Sequence, residues 1–91
     1  MKKNPDSVCG TAPDTIKFTV KQLPKHKGMV LIEGDKAAFE FLGELFKAHA
    51  RAEDCGFDIG PKSAGRARFK KGSTLGLYLH RLPCVEKKSL N

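Results

Sequence analysis

The chain has 91 residues and a formal net charge of +7, with 40% apolar and 30% charged residues. This length suffices for one domain with one modest core and argues against a deep, multi-walled active-site cleft. The composition argues against a disordered tail. A positive surplus of this size is typical of proteins that bind nucleic acid, anionic membranes or acidic proteins. The cations lie mainly towards the two ends of the chain, with an acidic segment over residues 35–54 between them.

Residues 1–14 mix Pro, Gly, Asp, Asn and Ser without periodicity, which predicts a flexible leader. The early lysines are followed by polar residues, so no signal peptide is expected, and no apolar run approaches the ~20 residues of a membrane span. We therefore expect no membrane contact. The three cysteines, Cys9, Cys55 and Cys84, form no C-x-x-C motif and are interpreted as free thiols of a cytoplasmic protein.

Two strands are predicted in the first third of the chain. The segment TIKFTVKQL places Ile16, Phe18 and Val20 on one side and polar residues on the other, which is the pattern of a strand with one buried face. After a break at PKHKG, the short apolar run MVLIE predicts a central strand covered on both faces. A buried helical segment is the alternative for so short a run.

The segment GDKAAFEFLGELFKAHARAED predicts an amphipathic helix that packs against a sheet. Asp35 suits the N-cap position. His49 falls near the middle of the apolar face, where we expect a core histidine bonded to a backbone carbonyl. Gly43 lies in the helix interior, where glycine lowers helix stability by roughly 1 kcal/mol relative to Ala. We interpret it as a position where the helix closely approaches another element. The apolar face consists of Ala38, Phe41, Leu42, Leu45, Phe46 and Ala52.

The basic stretch GRARFKKGS, residues 65–73, is predicted to form a hairpin with TLGLYLHRL, after a short strand at FDIGP. Ala67 and Phe69 must face the core together with the leucines of the second strand. A three-residue loop from Lys71 to Ser73 meets this condition, with Gly72 or Ser73 in the left-handed conformation. In this register Arg66 lies opposite Tyr78, Arg68 opposite Gly76 and Lys70 opposite Thr74.

The outward cations of this hairpin would share one face with a tyrosine and form the candidate binding site. Such a face could neutralise phosphates while the tyrosine stacks on a base, although the chain lacks RNP-type and KH-type motifs. A protein-binding face and a solvated face that prevents aggregation are the alternatives. The candidate residues are Arg66, Arg68, Lys70, Lys71, Tyr78, His80 and Arg81.

Catalytic and metal chemistry has little support in the sequence. Among the candidate metal ligands only His80 and Cys84 are close, with Pro83 between them, so no metal or cofactor is expected. Neither Cys55 nor Cys84 lies in the glycine pattern of a nucleophile elbow. The segment GPKSAG lacks the spacing of a phosphate-binding loop. We therefore expect a protein that is not an enzyme.

The segment VLIEGDKAAFEFLGELFKAHA, followed by FDIGP and LGLYLHRL, resembles a small immunity-protein family of bacterial polymorphic toxin systems. The resemblance spans residues 29–84 and rests on a strand ending in Gly-Asp, a helix and a hairpin. It implies a non-enzymatic protein that binds a cognate toxin domain and blocks its active site. The shared positions are core and turn positions, so no functional residue is carried over. The charge of +7 favours an acidic toxin over a nuclease.

Together these observations predict one α+β domain over residues 15–84, with four to five mainly antiparallel strands and one helix on one face in β-β-α-β-β order. The polar tail, residues 85–91, is expected to fray. The predicted function is non-catalytic binding of a toxin domain; the alternative is nucleic-acid binding through the Arg66/Arg68/Lys70 strand face. Homodimerisation through an uncovered sheet face or a strand edge is a further expectation.

Overall fold

The computed structural model describes residues 4–84. The α+β class is confirmed, but the single sheet with one helix is wrong, since residues 4–84 contain two α-helices and two separate pairs of antiparallel strands. The polar tail, residues 85–91, lies outside the described residues. In chain order the elements are α1 (Pro5–Thr11), β1 (Phe18–Gln22), β2 (Val30–Gly34), α2 (Lys36–Arg51), β3 (Gly56–Ile59), a 3-10 turn (Arg66–Arg68) and β4 (Leu77–His80).

The first hairpin pairs β1 with β2, from Phe18 opposite Gly34 to Gln22 opposite Val30. Phe18 and Val20 are fully buried, as their alternation predicts. The prediction of a central, doubly covered second strand is wrong, because within the described chain β2 pairs with β1 alone and Val30 is 54% exposed. A continuous apolar run therefore marks an edge strand here, which leaves one row of backbone groups open.

The predicted amphipathic helix is α2, whose N-cap Asp35 accepts a hydrogen bond of 2.9 Å from the backbone N–H of Ala38. A Cβ on Gly34 would lie 2.7 Å from the Cβ of Ala38, so the Gly-Asp pair lets the helix start directly against the hairpin. The close approach predicted at Gly43 is wrong, since a Cβ there meets no atom of the described chain within 4 Å. Phe46, assigned to the apolar face, is exposed.

The N-terminal stretch differs from the loose leader expected, because it contains α1. Asn4 and Ser7 form a reciprocal capping box, and Pro5 occupies the first turn, where its missing N–H is harmless. Val8 is buried against the core, and α1 contacts α2. The signals for this helix are its caps, since seven residues are too few to show a helical period.

The hairpin predicted between GRARFKKGS and TLGLYLHRL is wrong, because β4 pairs with β3 instead, from Gly56 opposite His80 to Ile59 opposite Leu77. Gly65, with φ of 75°, turns the chain into the 3-10 turn. Phe69 does enter the core, 4.9 Å from the ring of Phe18, and Gly72 is left-handed as expected. The parity argument placed Ala67 in the core together with Phe69, and this is wrong for Ala67, which is exposed on the 3-10 turn. The spacing of apolar residues did not require the residues before Phe69 to be extended.

Cys55 and Cys84 form a disulfide across 29 positions, which corrects the interpretation of three free thiols. Cys9 keeps a free thiol. A cross-link over a loop of this length stabilises a small domain by about 3.6 kcal/mol in the chain-entropy view. Separately, the helices within residues 4–84 include none that is long and apolar enough to cross a membrane.

Candidate functional site

Arg68, predicted to point outward, is one of the buried residues, with 7% of its surface exposed. Its Nη2 donates hydrogen bonds of 2.8 Å to the carbonyl oxygens of Cys9 and Ala12. Its Nη1 donates to the carbonyl of Pro13 and, at 3.5 Å, to that of Ile16. The guanidinium is therefore held by backbone carbonyls around the end of α1 and cannot contact a partner.

The surroundings of Arg68 explain how the structure accommodates a buried charge. The last carbonyls of a helix carry partial negative charge, so a guanidinium is favourable there. Its Cζ also lies 5.8 Å from the ring centroid of Phe41, within the range of a cation–π contact. Arg68 thus joins the C-terminal end of α1 to the core, and its place in the predicted binding site was wrong.

The other predicted cations separate into two groups. Arg66, Lys70 and Lys71 are exposed, but they lie on the 3-10 turn and the turn that follows it, outside any strand. Arg81 is half-buried, and its Nη1 donates a hydrogen bond of 2.7 Å to the carbonyl of His49. The continuous cationic strand face on which the nucleic-acid alternative rested is therefore not formed.

Tyr78 and His80 do share an open face, which consists of Gly56, Asp58, Tyr78 and His80 and is called the Tyr78 face below. Tyr78 is 70% exposed, and its ring is parallel to that of His80, with centroids 6.4 Å apart. A Cβ on Gly56 would lie 2.7 Å from the Tyr78 hydroxyl, so the ring leans across the neighbouring strand at a glycine. Asp58 pairs with Tyr78 across the hairpin.

A groove of 520 Å³ adjoins the Tyr78 face. Its wall is formed by residues 58–63 on one side and by Ser73, Thr74, Gly76 and Leu77 on the other, with Tyr78 at its edge. A Cβ on Gly76 would lie 2.6 Å from the carbonyl oxygen of Ile59, so the two backbones, which both line the groove, meet closely. The groove therefore presents backbone atoms beside one large exposed aromatic ring.

A second cavity, of 410 Å³, is lined by His49 together with Asp6, Glu53 and Asp54. His49 is 7% exposed, and neither ring nitrogen has a hydrogen-bond partner among the described residues. The expected bond from this histidine to a backbone carbonyl is therefore not formed, although the His49 carbonyl itself accepts from Arg81.

Three potential metal ligands meet at one end of the Tyr78 face. The ligand atoms of Cys55, His80 and Cys84 all lie within 4.8 Å of one another. The spacing of His80 and Cys84 was visible in the sequence, but Cys55 joins them only because β3 pairs with β4. No pattern within the sequence could have identified the third ligand.

Neither the models of known protein families, nor the curated proteins, nor the solved structures include a match to this chain. The resemblance to immunity proteins therefore stays a prediction.

Proposed function

We propose that this chain is a non-catalytic binding protein of the immunity type, which uses the Tyr78 face and the adjoining groove to bind and neutralise a cognate toxin domain. The observation that carries the proposal is the 70% exposure of Tyr78 on the outer side of a paired strand. Tyrosine is among the residues that most often dominate binding energy at protein interfaces. A second exposed apolar side chain, Leu82, follows shortly after β4.

The polar groups around the groove suit a protein interface with an apolar centre and a charged rim. Asp58 and Lys62 line the groove and offer opposite charges to a partner. Gly60 and Gly76 line the groove without side chains of their own, and their backbones are closely apposed. A projecting side chain of a partner could enter there while its neighbours pack on Tyr78, which is how anchored interfaces are organised.

The charge distribution favours an acidic partner. Lys70 and Lys71 are exposed on the turn that leads into Ser73, which lines the groove. With a net charge of +7, the chain would attract a negatively charged domain and repel a basic one. A toxin domain with an acidic surface fits this charge better than a nuclease.

The proposal places the protein in the cytoplasm of the producing cell, where an immunity protein meets its toxin before export. Disulfides are rare in that compartment. Cys55 and Cys84 would there be held largely as thiols, so the reduced form of the chain is the one to assay.

Binding of a toxin domain can be tested with the C-terminal domain encoded by the upstream neighbouring gene. We expect the two proteins to co-purify and the chain to protect cells that express the toxin domain. Tyr78→Ala should weaken binding at least ~30-fold, as for a hot-spot residue, and abolish protection. Phe39→Ala is the matched control, because Phe39 is an exposed aromatic on α2. Equal loss in both variants, or in neither, would contradict the proposed face.

The nucleic-acid alternative is tested in parallel with a fluorescein-labelled single-stranded DNA at low salt. Micromolar binding that disappears in the double variant Arg66→Glu, Lys70→Glu would favour this alternative over the immunity role. Absence of binding at low salt would remove it. Both substitutions change exposed residues, so the stability of the double variant should match that of the parent chain.

Self-association is proposed for the open edge of β2. Within the described chain β2 pairs only with β1, and Val30 on it is exposed. Two copies could add their β2 edges to each other by strand pairing. Sedimentation velocity should then show a dimer that Ile32→Pro dissociates; a monomer at high concentration would contradict it.

A further inference from the structure

The end of the second hairpin brings two thiol-bearing residues and an imidazole together. Cys55 immediately precedes β3, His80 is the last residue of β4, and Cys84 follows four positions later. Because Gly56 pairs with His80, the strand register fixes Cys55 beside the histidine. The three ligand atoms lie within 4.8 Å of one another.

The backbone around this cluster is fastened independently of the sulfur atoms. The N–H of Arg81 donates a hydrogen bond of 2.8 Å to the carbonyl of Cys55, which extends the pairing past the end of β4. The Arg81 guanidinium is anchored on the His49 carbonyl at the end of α2. Opening the Cys55–Cys84 bond therefore leaves hydrogen bonds that keep Cys55 and His80 close.

We infer that Cys55, His80 and Cys84 form a zinc site when the disulfide is reduced. Zn²⁺ prefers a tetrahedral set of thiolate and imidazole ligands, with Zn–S near 2.3 Å and Zn–N near 2.0 Å. Tetrahedral angles then require the two sulfur atoms about 3.8 Å apart. The Cα atoms of the two cysteines are 5.9 Å apart, so rotation about χ1 can separate the sulfurs without moving the strands. The fourth position is filled by water.

The disulfide and the metal site are alternative states of the same two residues. A cellular dithiol transfers two electrons and two protons to the disulfide and is itself oxidised to a disulfide, which leaves two thiols in the chain. Binding of Zn²⁺ by both thiolates and by neutral His80 then releases two protons. Re-oxidation by a disulfide reverses the exchange and expels the metal. Reducing conditions thus favour the zinc form and oxidising conditions the cross-linked form.

Zinc binding would also change the Tyr78 face, although the site does not depend on any protein partner. His80 stacks parallel to Tyr78, and coordination fixes the orientation of its ring. In the disulfide form the imidazole has no metal to orient it. The redox state of Cys55 and Cys84 would therefore act on the exposed ring that a partner meets first.

The test is a zinc titration of the full chain after reduction with a water-soluble phosphine. In the reduction the phosphine becomes the phosphine oxide, with its oxygen from water, and the disulfide becomes two thiols. After removal of the phosphine without air, competition with a chromophoric chelator should give one Zn²⁺ per chain. The oxidised chain should bind at least about 100-fold more weakly, since its thiolates are absent. Co²⁺ should produce a thiolate charge-transfer band and tetrahedral d–d bands.

Two ligand variants and two controls make the result specific. Cys84→Ser and His80→Ala should each weaken Zn²⁺ binding at least about 10-fold. Cys9→Ser and His26→Ala change a cysteine and a histidine outside the cluster and should leave the affinity unchanged. His80→Ala keeps the disulfide intact, so its folding can be verified in the oxidised form by circular dichroism.

The possible results of the zinc titration either support or overturn the proposed zinc site. Stoichiometric binding that needs reduction, Cys84 and His80 supports it, and so does a reduced chain that unfolds and refolds on addition of one Zn²⁺. Binding well below one ion per chain, equal binding by the oxidised chain, or equal loss in Cys9→Ser would overturn it.

Discussion

The guanidinium of Arg68 donates a hydrogen bond of 2.8 Å to the carbonyl oxygen of Cys9, across 59 positions of the sequence. With the companion bond to Ala12, it supplies the donors that the last carbonyls of α1 lack. A residue from the basic stretch therefore completes a helix at the other end of the chain. The basic stretch is consequently in part a structural element, and its charge does not by itself indicate a binding site.

Replacing Arg68 by methionine should lower the free energy of unfolding by about 3 kcal/mol, because carbonyls that are buried or partly buried lose their charged donor. Arg68→Lys should also destabilise the chain, since an ammonium cannot reproduce the planar fork. Arg66→Met is the matched control and should stay within about 0.5 kcal/mol, because Arg66 is exposed. Urea denaturation followed by circular dichroism measures both, and equal stability of the Arg68 and Arg66 variants would contradict the structural role.

Two glycines should respond in opposite directions to the same change. Gly76→Ala should destabilise the chain by about 1–3 kcal/mol, because its Cβ would meet the Ile59 carbonyl at 2.6 Å and push apart the backbones below the groove. Gly43→Ala should stabilise it by roughly 1 kcal/mol, because the new Cβ meets no described atom within 4 Å and the helix gains propensity. Thermal unfolding of the two variants compares them directly, and shifts of the same sign would contradict this account.

His49→Leu should leave the chain as stable as the parent or more stable, by up to about 1–2 kcal/mol, because the histidine buries two nitrogens without described partners. His26→Leu is the control, since His26 is exposed in the loop between β1 and β2. Chemical denaturation measures the difference. A loss of more than 1 kcal/mol in His49→Leu, with His26→Leu unchanged, would contradict this prediction.

Burial raises the pKa of the Cys9 thiol above its ordinary value; the nearby Arg68 guanidinium lowers it in part, and Asp6 adds to the increase. The thiolate is the reactive form, so the rate of alkylation by iodoacetamide should reach its midpoint at a higher pH in the folded chain than in urea. With the disulfide intact, Cys9 is the thiol that reacts.

The raised pKa of the Cys9 thiol should also make the stability of the fold depend on pH. A folded pKa above the unfolded one means that the unfolded thiol loses its proton first as the pH rises. The contribution of Cys9 to the free energy of unfolding is therefore fully present at pH values below the unfolded pKa, and it declines as the pH rises through the alkaline range. Cys9→Ser should reduce the alkaline part of that decline. An alkylation midpoint at the same pH in folded and unfolded chains would contradict both predictions.

The elements that local patterns define were predicted well. The period of the apolar residues and the cap at Asp35 predicted α2, and alternation predicted β1 with its buried Phe18 and Val20. Phe69 was assigned to the core correctly. For α2 and β1 the signal lies within a few neighbouring residues, because backbone geometry repeats every two or 3.6 positions.

The candidate site was predicted only in part. Tyr78 and His80 lie on the open face as expected, because alternation along β4 places them opposite the leucines. Arg68 does not lie on that face, because its guanidinium donates hydrogen bonds to carbonyls near the other end of the sequence. The residues next to Arg68 in the sequence give no sign of these acceptors. Arg66 and Lys70 are exposed as predicted, but they do not lie on a strand and are therefore not aligned with Tyr78.

The sequence by itself determined α2 and β1, together with the burial of Phe18, Val20 and most of the apolar face of α2, since these follow from local periodicity. Only the tertiary structure decided that β4 pairs with β3, that Arg68 closes α1, and that Cys55 meets His80 and Cys84. These relationships join residues 18 or more positions apart. Which of these contacts form depends on which backbone groups still lack hydrogen bonds and which apolar faces are still exposed once the local elements have packed. No short sequence pattern contains that information.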